Sequence, residues 1–291
     1  WSMSAVTRST RFIDADELGD ALIPVIVDAG QVLLAHFHAG VEIEKKPDRS
    51  PVTVADRESE EIILGGLERV SPSIPVIAEE AMAAGHVPPQ SDRFFLVDAL
   101  VGTRHFVRGS PEFSINVGLI ENGRPVFGLI YSPASARMFL TRSDGGAYEF
   151  RCNAANLPGR GAGVEMRRIN TRVPDRDNLR AFNSLSSAGK SSVLLRALAV
   201  KEAQPLGSAI KFCLIAAGEG DVYARIGETY EWDTASGQAI LEAAGGMVTD
   251  LDGVPLSYGQ RARGYLNPPF VAWGQSPLIG DLRSVLCGSD A

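Results

Sequence analysis

Between Phe94 and Thr103 the chain reads Phe-Phe-Leu-Val-Asp-Ala-Leu-Val-Gly-Thr. An apolar run this short reads as a buried strand, and it hands a single carboxylate, Asp98, to a turn at Gly102-Thr103. The strand fixes the direction of the acid, and the turn sets backbone N–H groups beside it. A second apolar run, Ile74 to Ala78, closes in the pair Glu79-Glu80. A third acid, Asp233, lies in Glu231-Trp232-Asp233-Thr234 and opens a helical pattern. Three acids at the ends of buried-looking elements constrain the fold, because the elements must meet for the acids to act together.

The rest of the chain supplies both helices and strands. Leu18, Leu22, Val25, Ile26, Ala29, Val32 and Leu33 recur at helical spacing. Pro24 interrupts them and predicts a kink or a late helix start. The polar stretch 45–50 reads as a loop. Asp56 to Leu67 reads as a second helix, with acids early where the helix dipole favours them. Phe113–Ile120 and Pro125–Tyr131 read as a hairpin turning at Asn122-Gly123. A further hairpin is expected at Asp144-Gly145-Gly146.

Arg151 to Gly163 lacks any period and reads as a loop. Beyond it come helices at Ser191–Val200, Gly207–Ala217 and Asp233–Ala244, the last closed by Gly245-Gly246. Short strands are expected at Asp221–Arg225, Met247–Thr249 and Phe270–Trp273, and a final helix at Pro277–Leu286. Successive layers with much antiparallel pairing predict an α+β fold. A soft boundary near the 151–163 loop separates an N-terminal part, 11–158, from a C-terminal part, 159–291. Trp1-Ser2 ahead of Met3 reads as an expression scar, with 1–10 a flexible start.

Composition removes several function classes. A net charge of −7 argues against nucleic acid polymers or anionic membranes as partners. Cys152, Cys213 and Cys287 are widely separated, which argues against a disulfide framework or a zinc site and fits a cytoplasmic chain. No uninterrupted apolar run reaches the roughly 18 residues of a membrane span.

Carboxylates at strand ends suit a hard cation such as Mg2+, which takes one or two of them together with water and substrate phosphate. Taken singly, Glu79, Asp98 and Asp233 also read as caps or solvated loop acids. Asp56 reads either as the cap of the following helix or as a base accepting a proton from a hydroxyl that positions water, with Thr103 a candidate hydroxyl. Spacing leaves both open. Gly102-Thr103-Arg104-His105 and Gly207-Ser208, ahead of Lys211, are candidate phosphate cradles or ordinary turns. Gly189-Lys190-Ser191 is no P-loop, since Ser184 stands where its first glycine belongs. Gly159, Gly161 and Gly163 lack the strand–helix context of a dinucleotide fingerprint. His36 and His38, two apart on a helix, point in different directions.

Three blocks in this order resemble the inositol monophosphatase superfamily: Pro51-Val52-Thr53-Val54-Ala55-Asp56, Glu112-Phe113-Ser114-Ile115-Asn116-Val117, and Glu231-Trp232-Asp233-Thr234-Ala235-Ser236-Gly237-Gln238. The last continues into Leu241-Glu242-Ala243-Ala244-Gly245-Gly246. Within that superfamily the chain is most similar to the bacterial 3′(2′),5′-bisphosphate nucleotidases.

The resemblance implies a layered α/β/α/β sandwich of the inositol monophosphatase/fructose-1,6-bisphosphatase type. It implies magnesium-dependent, lithium-sensitive hydrolysis of a small phosphorylated substrate by in-line attack of a metal-bound water, and it makes a homodimer an expectation. The implied substrate is 3′-phosphoadenosine 5′-phosphate or a related nucleotide, with an inositol or sugar phosphate as the alternative. By resemblance Glu79, Asp98, the Leu100 carbonyl and Asp233 hold metal. Asp56, Thr103 and Glu79 are catalytic, and Gly102, Thr103, Gly207, Ser208 and Lys211 meet the substrate.

Two departures stand out. The family pattern Asp-Pro-(Leu/Ile)-Asp-Gly-Thr is here Asp98-Ala99-Leu100-Val101-Gly102-Thr103. Val101 therefore puts an isopropyl group where the family has a ligand of the second metal. That departure makes a catalytically impaired, phosphate-binding relative the competing expectation. Ser184-Leu185-Ser186-Ser187 also departs from the Ser-Arg-Ser-His-like pattern of the nucleotidases.

Overall fold

The computed structural model describes residues 14–40, 43–45, 51–157, 165–184, 188–277 and 282. The expectations for 1–10, 46–50, 158–163 and 185–187, and most of the final helix at 277–286, fall outside those residues.

Helix α1 (Ala15–Ala39) starts at an Asp14 cap, whose Oδ1 accepts the N–H groups of Asp16 and Glu17. Pro24 sits inside it, so the expected late start is corrected. One stripe of the helix, including Leu18, Leu22, Ile26 and Leu33, is buried, and that burial outweighs the one missing backbone bond. By length and hydropathy α1 could cross a membrane, which the run-length reading did not detect. In this fold it is a core helix. A two-stranded pair, β1 (Ile43–Lys45) and β2 (Pro51–Thr53), leads into α2 (Val54–Val70).

The larger sheet keeps chain order: β3 (Val76–Ala78), β4 (Arg93–Val101), β5 (Ser114–Glu121), β6 (Arg124–Ser132), β7 (Arg137–Thr141), β8 (Ala147–Arg151) and β9 (Arg167–Ile169). β3 runs parallel to β4, and the other pairings are antiparallel. The β5–β6 hairpin turns at Asn122 (φ 50°) and Gly123 (φ 75°), the positive-φ pair that matches strand twist. Two single-turn helices, α3 (Glu79–Ala83) and α4 (Thr103–Val107), follow β3 and β4. β9 lies beyond the boundary expected at 158/159, so this sheet draws on both parts of the chain.

The second sheet has the order β11 (Ala203–Leu206), β10 (Ala181–Ser184), β12 (Val222–Arg225), β14 (Phe270–Trp273), β13 (Met247–Asp250). Between the sheets lie α6 (Ile210–Ala216) and α7 (Glu231–Ala243). α6 begins three residues later than Gly207, because the chain first makes a turn there. α1 and α2 cover the outer face of the larger sheet, and α5 (Ala188–Ala197) covers the far face of the smaller one. The expected α/β/α/β sandwich is therefore present, with α5 as a fifth layer.

α7 reaches the larger sheet through two glycines. A Cβ on Gly118 would stand 3.0 Å from the Ser236 nitrogen, and one on Gly128 would collide with the Ser236 carbonyl oxygen. We predict that Gly128→Ala destabilises the protein by about 1–3 kcal/mol, because the helix cannot back away without unpacking both sheets. Chemical denaturation measures this, and an unchanged midpoint would contradict the packing argument.

Candidate active site

β4 does not run regularly to its end. Its pairing with β5 slips between Asp98 and Val101, so one extra residue is accommodated there. In a regular strand, residues three apart face opposite sides of the sheet. The bulge returns Val101 to the face of Phe94 and Leu96, the inter-sheet core, while Ala99 and Leu100 both join the core under α1 and α2. Asp98, 3% exposed, shares that inter-sheet face by alternation, and its Oδ1 accepts the Leu100 N–H at 2.9 Å. Gly102 follows with φ 97°, in the left-handed region where glycine carries no penalty.

Thr103 Oγ1 lies 3.1 Å from the Leu100 carbonyl oxygen and 3.1 Å from Asp56 Oδ1. It has a single proton and can donate it to only one of them at a time. Asp56 is buried in the first turn of α2. Its Oδ2 accepts the Thr53 N–H at 2.8 Å and the Thr53 hydroxyl at 2.6 Å. The cap residue is Thr53, and Asp56, three residues on, closes a capping box, so the expectation that Asp56 itself is the cap is corrected. The other oxygen is left for Thr103, whose hydroxyl lies within hydrogen-bonding distance as the base reading requires. Burial raises its pKa above the usual carboxylate value. The Thr53 bonds work against that rise, and the charge of Glu79 adds to it.

Glu79 opens α3 directly after β3. The turn is held by Glu60, a buried acid one helical turn after Asp56, whose two oxygens accept the N–H groups of Glu80 and Ala81 at 2.8 Å each. Sequence reasoning missed Glu60. Its spacing of four from Asp56 on an otherwise apolar face was the available signal.

Asp233 sits in the first turn of α7, where its Oδ2 accepts the Tyr230 N–H at 2.7 Å. Its pKa is pushed up to about 6, first by burial and then by the negative charge of Glu79. Both acids are therefore held near one another against their repulsion.

The opposite wall is the turn before α6. Lys211, buried at 3% exposure, directs its ammonium at the carbonyl oxygens of Leu206, Gly207 and Ser208, at 3.0, 3.2 and 2.5 Å. Burial pushes its pKa down to about 7. Its Nζ also stands 4.8 Å from the centre of the Tyr223 ring. The Gly207 N–H donates to Glu112 Oε2 at 3.0 Å. In this geometry Lys211 and Gly207 thus shape the turn rather than offering open donors.

Arg225 was not foreseen. It donates to the carbonyls of Gly227 and Glu228 and to Ser184 Oγ, tying the segment after β12 to the end of β10.

Glu79, Asp98, Leu100, Val101, Gly102, Thr103, Gly207, Ser208, Lys211 and Asp233 all line one cleft of about 430 Å³. Asp56 stands behind Thr103. Among the described residues no three Asp, Glu, His or Cys side chains close on one point as a ready-made metal cage. Besides His105, the donors on the cleft are oxygen: the carboxylates of Glu79, Asp98, Asp233 and Glu228, with Asp233 and the Asp56 behind Thr103 both raised in pKa by burial first and by the charge of Glu79 in addition. This set fits a hard cation that takes a few carboxylates and completes its shell with water and phosphate. Val101, 7% exposed, offers nothing to a second ion.

The model of the inositol monophosphatase family matches residues 14–276. The chain is 36% identical over 245 residues to the 3′(2′),5′-bisphosphate nucleotidase CysQ of Salmonella typhimurium, covering 84% of this chain and 94% of that one. It is 34% identical over 230 residues to CysQ of Shigella flexneri, covering 79% and 88%. Among solved structures, CysQ from Bacteroides thetaiotaomicron superposes with a TM-score of 0.71 at 30% identity, covering 89% and 97%. A Thermotoga maritima IMPase superposes equally well, 0.71, at 24% identity over 94% and 97%, which speaks to the fold alone.

Proposed function

Because this chain belongs to the inositol monophosphatase family and is a phosphatase of the bisphosphate nucleotidase class, we propose that it is a magnesium-dependent, lithium-sensitive phosphomonoesterase that removes the 3′-phosphate of 3′-phosphoadenosine 5′-phosphate or a related nucleotide. The observation that carries the reading is the Thr103–Asp56 hydrogen bond at the edge of a cleft lined by Glu79, Asp98 and Asp233.

Glu79, Asp98, the Leu100 carbonyl and Asp233 would hold magnesium. When bound, the ion supplies Lewis-acid stabilisation of the charge on the phosphoryl oxygens. With its proton directed at Asp56, Thr103 keeps its lone pairs free to accept a hydrogen bond from water. As the water oxygen forms its bond to phosphorus, the bond from phosphorus to the ester oxygen breaks and the leaving alkoxide takes a proton from solvent. In the same step the water proton moves to Thr103 Oγ1 and the threonine proton moves to Asp56 Oδ1. The raised pKa of Asp56 makes it a stronger base for that transfer. The phosphate contacts fall to Gly102, Thr103 and Ser208, while Lys211 and Gly207 keep the opposing turn in shape. Glu60 is a positioning residue for Glu79.

A second reading rests on Val101, whose apolar side chain lines the cleft: the site binds phosphate esters and turns over slowly. Phosphate release measured against magnesium concentration, on 3′-phosphoadenosine 5′-phosphate, inositol 1-phosphate and a sugar phosphate, separates these readings. The expected result is magnesium-dependent release with the highest kcat/KM on the nucleotide. No release at any magnesium level, with retained binding by calorimetry, would establish the second reading.

A further inference from the structure

A second cavity, of about 420 Å³, lies at the opposite end of α2 from Asp56. Glu68 is twelve residues beyond Asp56, which places the cavity about 18 Å along the helix from the catalytic pair. Its walls are the last turns of α2, the 71–76 segment that becomes β3, and Pro88 of the segment between α3 and β4. These are the two segments on either side of Glu79, so an occupant touches the chain that carries that acid. The volume is in the range of small-molecule sites.

The lining has a definite chemistry. Leu64, Ile74 and Val76 provide aliphatic surface. Pro72, Pro75 and Pro88 extend it and bring no backbone N–H. The helix ends here, with its terminal carbonyls and their partial negative charge directed toward this end. Glu68 adds a full negative charge, and among the described residues no Lys, Arg or His lines the cavity. Ser71 also lines it. Its side chain is buried at 6% exposure, and its Oγ has no hydrogen-bond partner among the described residues. An apolar sleeve with acceptors and negative charge at one end suits an organic cation with an aliphatic body.

We propose that this cavity binds a small aliphatic amine in its ammonium form. The alkyl chain lies along Leu64, Ile74 and Val76, and the ammonium faces Glu68 and the α2 carbonyl end.

Amide chemical shifts of the full chain, followed during titration with n-pentylamine, test this directly and do not depend on any turnover. Saturable shifts confined to the non-proline residues of 64–76 and to Val87 and Gln90, which flank Pro88 and Pro89, are expected. Pentanoate and 1-pentanol, the anionic and neutral analogues, should bind more weakly. Glu68→Gln, on the exposed surface, should weaken amine binding about three- to fivefold and leave the remaining spectrum unchanged. Cadaverine and a Gly-Lys-Gly peptide then distinguish a free polyamine from a lysine side chain of another protein, by which of them binds more tightly. The absence of saturable shifts, equal binding of pentanoate, or an unaltered affinity in Glu68→Gln would overturn the proposal.

Discussion

Asp56→Asn is expected to lower kcat about 10²–10⁴-fold while leaving the fold and the magnesium dependence nearly intact. Two hydrogen-bonding arrangements underlie the expectation. On the helix side, the asparagine oxygen can still accept the Thr53 N–H, now 2.8 Å from Asp56 Oδ2, so the cap survives. On the cleft side, the new amide nitrogen faces Thr103 Oγ1 and can only donate. The threonine proton then turns to the other acceptor within reach, the Leu100 carbonyl at 3.1 Å. Thr103 can no longer pass a proton to position 56, and one of its lone pairs is occupied by the amide.

Thr103→Val should produce a loss of the same order, and the double variant little more, since the two side chains act as one relay. The pH profile supplies an independent reading. Burial raises the Asp56 pKa in the folded protein, so the base is lost by protonation as pH falls through that raised value. The acid limb of kcat/KM should therefore lie above the ordinary carboxylate range in the native protein and vanish in Asp56→Asn. A variant within tenfold of the native rate, or one with the acid limb unchanged, would remove Asp56 from the role of base.

The two contacts of Asp56, one on each oxygen, explain a limit of sequence reading here. A capping-box acid and a catalytic base have the same local signature, an acid in the first turn of a helix, and only the arrival of Thr103 from 47 residues away reveals the second contact. The acids at strand and helix ends were legible because each closes a run of strong local pattern. Their supports were not. Glu60 fixes Glu79 through backbone N–H groups twenty and twenty-one residues later, and Glu112 reaches Gly207 across 95 residues. Neither contact has a local signature, and only the spacing of Glu60 from Asp56 marks it as an acid on a buried face.

Lys211 shows the converse. A lysine beside a Gly-Ser turn suggests a phosphate ligand, yet the carbonyls of the preceding turn converge on its ammonium. Pro24 likewise carries a strong local message that tertiary burial of α1 overrides.

Val101→Asp is the test with the widest consequences, and the bulge in β4 makes it specific. In an unbulged strand an acid at 101 would point away from Asp98. The register slip between Asp98 and Val101 turns both toward the inter-sheet face, and Val101 lines the same cleft as Glu79, Asp98 and Asp233. Without a cation the substitution should destabilise the protein. It removes a buried isopropyl group, worth about 1.5–3 kcal/mol when fully buried. It also adds a carboxylate beside Glu79, Asp98 and Asp233, where burial and then the charge of Glu79 already raise Asp233 to about 6.

With magnesium the signs reverse, because the added oxygen donors gain a partner. Tm should fall in the metal-free variant and rise more steeply with magnesium than in the native protein, by mass action on the folded state. A coordinating carboxylate contributing even about 1.4 kcal/mol raises magnesium affinity about tenfold. If the native site is limited by support for a second ion, phosphate release should rise by at least that factor. Thermal stability and rate then report separately. A steeper magnesium dependence of Tm without faster turnover would mean that position 101 can hold an ion the reaction does not need. If Tm, magnesium affinity and rate all failed to respond, the valine would not be what separates this cleft from a two-metal site, and the bulge geometry would have another purpose.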